Sequence, residues 1–282
     1  MTEALRAAVL DPLAYPFMRN GLVEVLLLAA ASGLVGVFVV HRRLTFFAHA
    51  LTHTIFPALV VATAFRVDLT LGALAGTVVT VALVLALRAR ADVGEDSAVG
   101  VVFIGLLALG VVLVGVLRVR SQAVGEALVG NVLGVGPADL AISGVLVLGS
   151  GALVALLYRP LVLTSFDRGA ARALGLPVAA LDLALLGLVA GTATVSVRVV
   201  GVVLTIAVLV TPAATARLWA RRVPEIMAVS ALCGALAGVV ALYVTYHVPI
   251  APASVIVLVL IALFGVSLVV APTGPLRRRF LH

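Results

Sequence analysis

The chain has 282 residues, of which 63% are hydrophobic and only 11% are charged, and its mean hydropathy is +1.30. Soluble domains carry about a quarter charged residues, so this composition excludes a water-soluble globule and predicts a chain embedded in lipid. The 19 basic residues are all arginine, which excludes both a P-loop lysine and a Schiff-base lysine, so a partner must hydrolyse any ATP that is used. We attribute the net charge of +7 to arginine in loops rather than to nucleic-acid binding.

Apolar runs of roughly 17 to 25 residues, the length that crosses a bilayer, recur from Gly21 to Ala271. They predict an all-α, polytopic bundle of eight or nine transmembrane helices in a domain at 21–271, with a segment 1–20 before it and a tail 272–282 after it. Segment 1–20 has no uninterrupted apolar core and is not expected to be a cleaved signal peptide. The helices are predicted at 21–40, 44–64, 67–87, 98–117, 138–157, 178–195, 199–218, 226–246 and 252–270.

Arginine is unevenly divided between the two sets of alternate loops. The richer set includes the loops after the first, third, fifth and seventh predicted helices and the tail 272–282. Because short cytoplasmic loops are enriched in basic residues, the N-terminus is predicted outside and the C-terminus in the cytoplasm.

Two polar segments between the predicted helices fall on opposite sides of the membrane. Segment 121–137, outside, is either a short helix over a pore mouth or an ordered loop without a role in transport. Segment 159–177, inside, predicts a short amphipathic helix that Ser165 or Asp167 could cap and that Gly175 and Pro177 would end. Its small apolar face of Ala170, Ala171 and Leu174 suits docking into a groove of another protein.

Two prolines lie inside apolar runs. Pro57 and Pro212 each remove a backbone donor and free a carbonyl, so a kink is expected at both. Thr211, beside Pro212, can satisfy part of the freed backbone.

A histidine pair is the main candidate for chemistry within the predicted helices. His49 and His53 are four residues apart, so both imidazoles lie on one helix face and can converge on an ion such as zinc. The alternative is two polar residues satisfied by backbone or water. Two ligands leave a zinc shell incomplete, and the others must come from another helix, water or a second copy. A zinc-protease helix is excluded because Ala50 stands where the general base, a glutamate, would be.

The remaining ionisable groups are assigned to the membrane interface. Glu24 and Asp182 lie near helix starts, and Arg198 lies at a predicted short turn. Asp182 could also pair with a cation in segment 159–177. His41 is grouped with Arg42 and Arg43 in a cytoplasmic basic cluster.

Several motifs in the right order resemble one known family, the membrane permeases of bacterial ABC importers for zinc and manganese. They are PFMRN at 16–20, GVFVVHRRL at 36–44, the histidine run that ends at Pro57, FDRGAARALGLP at 166–177 and VGVVLTIAVLVTPAATAR at 200–217. The resemblance covers nearly the whole chain. It implies a type II importer permease that forms a homodimer in the bacterial cell membrane.

The resemblance also implies partners and residue roles. The partners are a cytoplasmic ATPase dimer and an extracytoplasmic metal-binding protein, and no cofactor is permanently bound. The coupling helix that docks on the ATPase is implied at 167–175, with Asp167, Ala171 and Gly175. Relatives usually have aspartate where this chain has His49, and replacing a hard carboxylate by imidazole should favour zinc over manganese or ferrous iron as the transported ion.

Other kinds of transporter stay open as alternatives. A manganese or iron permease would use the same machinery. A metal-chelate or cobalamin permease should have a wide path lined with aromatic groups, and only 5% of this chain is aromatic. A secondary transporter driven by an ion gradient should have membrane-embedded carboxylates, which the predicted helices lack almost entirely.

Overall fold

The computed structural model describes residues 11–90, 94–119, 130 and 132–272. Within these ranges every regular element is helical, so the all-α prediction is confirmed. Most of segment 121–137 and nearly all of the tail lie outside the described residues. The helices are α1 (Pro16–His41), α2 (Thr45–Thr54), α3 (Phe56–Ala64), α4 (Leu69–Arg90), α5 (Glu95–Val116), α6 (Pro137–Phe166), α7 (Arg168–Ala173), α8 (Val178–Val200), α9 (Val202–Trp219), α10 (Val223–His247) and α11 (Pro252–Val270), with a 3₁₀ turn at Val132–Gly134.

Eight helical segments in the described residues are long and apolar enough to cross a membrane. One of them, Thr45–Ala64, is made by α2 and α3 together, and α9 contributes a shorter apolar helix, Leu204–Trp219. In α5 and α6 only 17% of the most apolar stretch is buried, so side chains such as Val116 and Leu148 point away from the protein. Such apolar outer faces are stable only in lipid, and the chain is a multi-pass membrane protein.

Several predicted helix ends differ from the structure, and two of them, after α6 and after α8, concern the ends of transmembrane helices. Helix α6 continues through Pro160 to Phe166 instead of ending at 157, and Leu161 and Thr164 beyond the proline are fully packed, at 0% and 1% exposure, which offsets the cost of an interior proline. Helix α8 extends through Arg198 to Val200, and the break before α9 is the single residue Gly201, with φ of 89°. The turn predicted at Arg198 is therefore found at Gly201, because glycine readily adopts a positive φ.

The described helices fall into two compact units. One unit consists of Met1–Val37, Asn131–Leu156 and Ala207–His282. Small residues along α1 let the helices of this unit pack closely. A Cβ added at Gly33 would lie 2.7 Å from the Ala231 Cβ of α10, and one at Gly36 would lie 2.2 Å from the Leu209 carbonyl oxygen of α9. Only glycine permits these helices to approach so closely.

The other unit consists of Phe38–Gly130 and Leu157–Ile206. Helix α3 packs on α4 through small residues, because a Cβ at Gly72 would lie 2.6 Å from the Ala62 Cβ and one at Gly76 would lie 2.8 Å from the Ala58 Cβ. Helices α4 and α8 are joined by a buried hydrogen bond of 2.6 Å between the hydroxyls of Thr77 and Thr194. This unit holds the histidine pair and segment 159–177.

Candidate functional site

The histidine pair lies on α2, a ten-residue helix that ends directly before a one-residue break in the transmembrane segment. Helix α2 ends at Thr54, and α3 begins at Phe56 after Ile55. Pro57 is in the first turn of α3, where its missing N–H cannot donate to the carbonyl of His53 four residues earlier. The histidines therefore lie on the first of the two helices that together make the transmembrane segment Thr45–Ala64, and Ile55 between them keeps a helical backbone.

The two imidazoles are neighbours on one face of α2. Their ring centroids are 5.0 Å apart and the ring planes cross at 78°. His53 also packs against the Phe103 ring of α5 at 5.6 Å. Both histidines are partly buried, so their rings are neither fully solvated nor sealed in a dry core.

The threonines beside the histidines have a local role. Thr52 donates its hydroxyl proton to the His49 carbonyl at 2.8 Å, and Thr54 donates to the Leu51 carbonyl at 3.1 Å. Within the described ranges, no three residues among His, Cys, Asp and Glu are grouped so that they could hold a metal ion. The pair thus offers two nitrogen ligands, and any further ligand must have another source.

His49 faces an open cavity of about 600 Å³. Thr45 and Phe46 of the same helix line the cavity, as does Asp96 from the first turn of α5. The other lining residues are Val40, Arg43 and Ile206. One imidazole of the pair is therefore accessible to a small solute.

Segment 159–177 contains a separate short helix, α7. The Asp167 carboxylate caps it by accepting the Ala170 N–H at 2.9 Å, and Gly175 follows its end with φ of 75°. Of the predicted apolar face, Ala171 is 0% exposed and packs within the chain, whereas Leu174 and the preceding Phe166 are largely exposed. The docking role of Asp167, Ala171 and Gly175 stays a prediction.

An ion-pair network connects α7 to neighbouring helices. Arg42, just after α1, forms an ion pair with Asp182 of α8, while the other carboxylate oxygen of Asp182 accepts from Arg168 of α7 at 3.0 Å. Arg42 also donates to Thr164 and, at 2.8 Å, to Ser165, both in the last turn of α6. The pairing predicted for Asp182 is confirmed. Arg42, which the sequence groups with His41 and Arg43 in a cytoplasmic basic cluster, has a side chain only 5% exposed and belongs to this network.

Pro212 lies in the interior of α9, which continues through it. Thr215 lies one turn after Thr211, and its hydroxyl donates to the Thr211 carbonyl at 2.8 Å. The contribution of Thr211 and Pro212 to a transport path stays a prediction.

Glu24, which the sequence assigns to the membrane interface, is a fully buried carboxylate. It lies eight residues after the first residue of α1, about 12 Å along the axis, and it is 0% exposed. The Ser143 hydroxyl of α6 donates to its carboxylate at 2.5 Å. Because the first helix was predicted to begin at Gly21 instead of Pro16, Glu24 was assigned to the interface.

The sequence as a whole matches a transporter family. The profile described as the ABC 3 transport family aligns with residues 14–271, which include every helix described above. The chain belongs to the ABC 3 transport family. The resemblance found in the sequence motifs is confirmed, and the ABC 3 chain is a transport permease by family.

Relatives of this ABC 3 chain match it over nearly its full length. It is 32% identical to the manganese import system permease protein of Streptococcus parasanguinis, over 92% of both chains. It is 29% identical to the chelated iron transport system membrane protein of Yersinia pestis, over 98% of this chain and 92% of that protein. Among solved structures it is similar to PsaBC from Streptococcus pneumoniae in complex with Fab, with a TM-score of 0.84, 28% identity and 95% of each chain covered.

Proposed function

We propose that this chain is the permease subunit of an ATP-driven importer for a bare divalent metal ion, and that His49 and His53 bind the ion on its way through the membrane. The observation that carries the proposal is the pair of partly buried imidazoles, with centroids 5.0 Å apart, in a chain of the ABC 3 transport family. Ionisable groups inside a membrane are costly and are therefore functional candidates. A two-ligand site also suits transport, since a closed four-ligand shell would hold the ion too firmly.

We favour zinc as the ion, on the chemistry of the ligands. Imidazole nitrogen suits zinc, copper, nickel and iron, whereas manganese prefers carboxylate and carbonyl oxygen. Manganese is the second candidate, supported by the name of the relative from Streptococcus parasanguinis, and iron is supported by the name of the relative from Yersinia pestis. The metal-chelate alternative has less support, because only 5% of the chain is aromatic.

The proposed assembly is supported by the absence of lysine in the chain and by the exposed side chains next to α7 in segment 159–177. The chain has no lysine for a P-loop, so the ATPase is a separate subunit. We assign its docking surface to α7 with Phe166 and Leu174, whose side chains are 67% and 71% exposed. In the proposed importer two copies of the chain form the path, the N-terminus is outside, and an extracytoplasmic protein delivers the ion.

The test is metal uptake by the reconstituted complex. The complex is purified through a tag on this chain, its ATPase is identified, and initial uptake of zinc and of manganese is measured in proteoliposomes with and without ATP. The double substitution His49→Ala and His53→Ala is expected to lower uptake of the favoured ion by at least about a hundredfold, because both proposed nitrogen ligands are lost.

His247→Ala is the matched control, since this histidine ends α10 and packs on the Tyr246 ring. The control should transport at the wild-type rate. Unimpaired metal uptake by the double variant would contradict the proposed site. ATP-independent uptake driven by an imposed ion gradient would instead support the secondary-transporter alternative.

A further inference from the structure

The cavity beside His49 is also lined by a carboxylate, that of Asp96, which has no role in the histidine pair described above. Asp96 lies in the first turn of α5 and lines the cavity together with His49 and Thr45 of α2. Throughout the described ranges, no hydrogen bond or ion pair is found for the Asp96 carboxylate. An imidazole, a carboxylate and a hydroxyl around one water-accessible space are ligands that divalent cations accept.

The register between α2 and α5 places Asp96 at a definite level along the histidine face. Phe103 of α5 packs on His53, and Asp96 precedes Phe103 by seven residues, about 10.5 Å along a helix axis. Thr45 precedes His53 by eight residues, so Asp96 is level with Thr45 and one turn before His49. Contacts of a Cβ at Gly100 with Phe46 and of one at Gly110 with Phe56 show the same parallel direction, with a register shifted by one turn, so Asp96 lies level with the first turn of α2 or just before it.

We propose that Asp96, with Thr45, forms a release site for the transported cation, next to His49 and on the cytoplasmic side of the histidine pair. This inference rests on the proposed function and on the predicted orientation, in which the arginine-rich ends of α1 and α4 are cytoplasmic. Three polar side chains, Thr45, His49 and His53, then follow one face of α2 at four-residue spacing, and Asp96 supplies a negative charge at the inner end of that series.

The site is suited to release rather than to tight binding. Asp96 is exposed, so water screens its attraction for a dication, and Arg43 lines the same cavity with a charge of the opposite sign. Imidazole is the better ligand for a borderline ion, whereas a carboxylate exchanges readily with water at the mouth of a cavity. An ion that leaves His49 for Asp96 is therefore already close to the solvent.

The test separates release from capture through the kinetics of uptake. For Asp96→Asn in the reconstituted complex, the maximal rate of uptake of the favoured ion should fall about fivefold to tenfold, the effect of one screened charge near a surface. The half-saturating metal concentration should stay within about twofold, because capture occurs at the other end of the path. Asp96→Glu, which keeps the charge, should restore most of the rate.

Glu225→Gln is the matched control, since Glu225 is an exposed acid in the first turn of α10 that pairs only loosely with Arg222, at 3.8 Å. Equal rates for Asp96→Asn and Glu225→Gln would overturn the release site, and so would a raised half-saturating concentration at an unchanged maximal rate. If uptake is lost in the His49 and His53 double variant but normal in Asp96→Asn, only this inference fails. Normal uptake in the double variant would instead remove the proposed function.

Discussion

Each imidazole of the histidine pair can give one nitrogen to an ion, and the helix fixes how far apart the two nitrogens stand. The ring centroids of His49 and His53 are 5.0 Å apart, and the neighbouring threonine hydroxyls donate to backbone carbonyls. At this scale the preference between ions depends on the kind of ligand atom rather than on the number of polar groups nearby.

The proposed site predicts that a single substitution shifts the ion preference. His49→Asp replaces an imidazole nitrogen by carboxylate oxygen, and we expect the ratio of manganese to zinc uptake to rise about tenfold, or about 1.4 kcal/mol in relative binding. The measurement is initial uptake of the two ions in competition at equal free concentrations. His49→Asn, which supplies oxygen without charge, is the control for the charge itself. An unchanged ratio in His49→Asp would mean that residue 49 does not contact the ion.

At the scale of the helices, α1 is held against α9 by the absence of a side chain at residue 36. A Cβ at Gly36 would lie 2.2 Å from the Leu209 carbonyl oxygen, a backbone atom that cannot move aside as a flexible side chain can. The contact therefore fixes the distance between the two helix axes.

Gly36→Ala is expected to destabilise the protein by about 1–3 kcal/mol, because it forces these helices apart. The control is Gly149→Ala on α6, where an added Cβ meets no atom within 4 Å and should be neutral or slightly stabilising. Thermal unfolding in detergent, followed by the loss of the monodisperse peak in size-exclusion chromatography, measures both. Similar midpoints for the two variants would contradict the close contact.

The network around Asp182 makes a second prediction about the helices. Arg42 and Asp182 have side chains only 5% and 16% exposed, so Asp182→Asn leaves the Arg42 charge poorly compensated in a mostly buried place. We expect a loss of about 3 kcal/mol in unfolding free energy. Glu225→Gln breaks an exposed pair, with side chains 84% and 52% exposed, and should cost at most about 1 kcal/mol. The same thermal assay compares them, and equal effects would contradict the buried network.

For the molecule as a whole, the architecture could be predicted because composition and apolar run length determine where lipid is the solvent. Helix ends were less predictable. Pro160 suggests an end and Arg198 suggests a turn when only local sequence is considered, yet α6 continues to Phe166 and α8 to Val200. Buried packing in the last turn of α6 and the backbone freedom of Gly201 decided these ends, and neither is visible in a hydropathy pattern.

The candidate site was predictable to the extent that its geometry is local. The one-turn spacing of His49 and His53 follows from helix periodicity, and capping preference limits the cap of α7 to Ser165 or Asp167, of which the structure shows Asp167. The burial of Glu24, the partners of Arg42 and the shared cavity of His49 and Asp96 depend on which distant residues meet. A single sequence carries no direct signal of such contacts.

The one-residue interruption at Ile55 bears on how the proposed site could bind and release an ion. Because both histidines belong to α2, a change in the direction of this helix relative to α3 would carry their two backbones together and leave the backbone spacing unchanged. In the proposed site, such a movement would change the affinity for the ion through a third ligand that approaches or leaves the pair, rather than through the distance between the two histidine backbones.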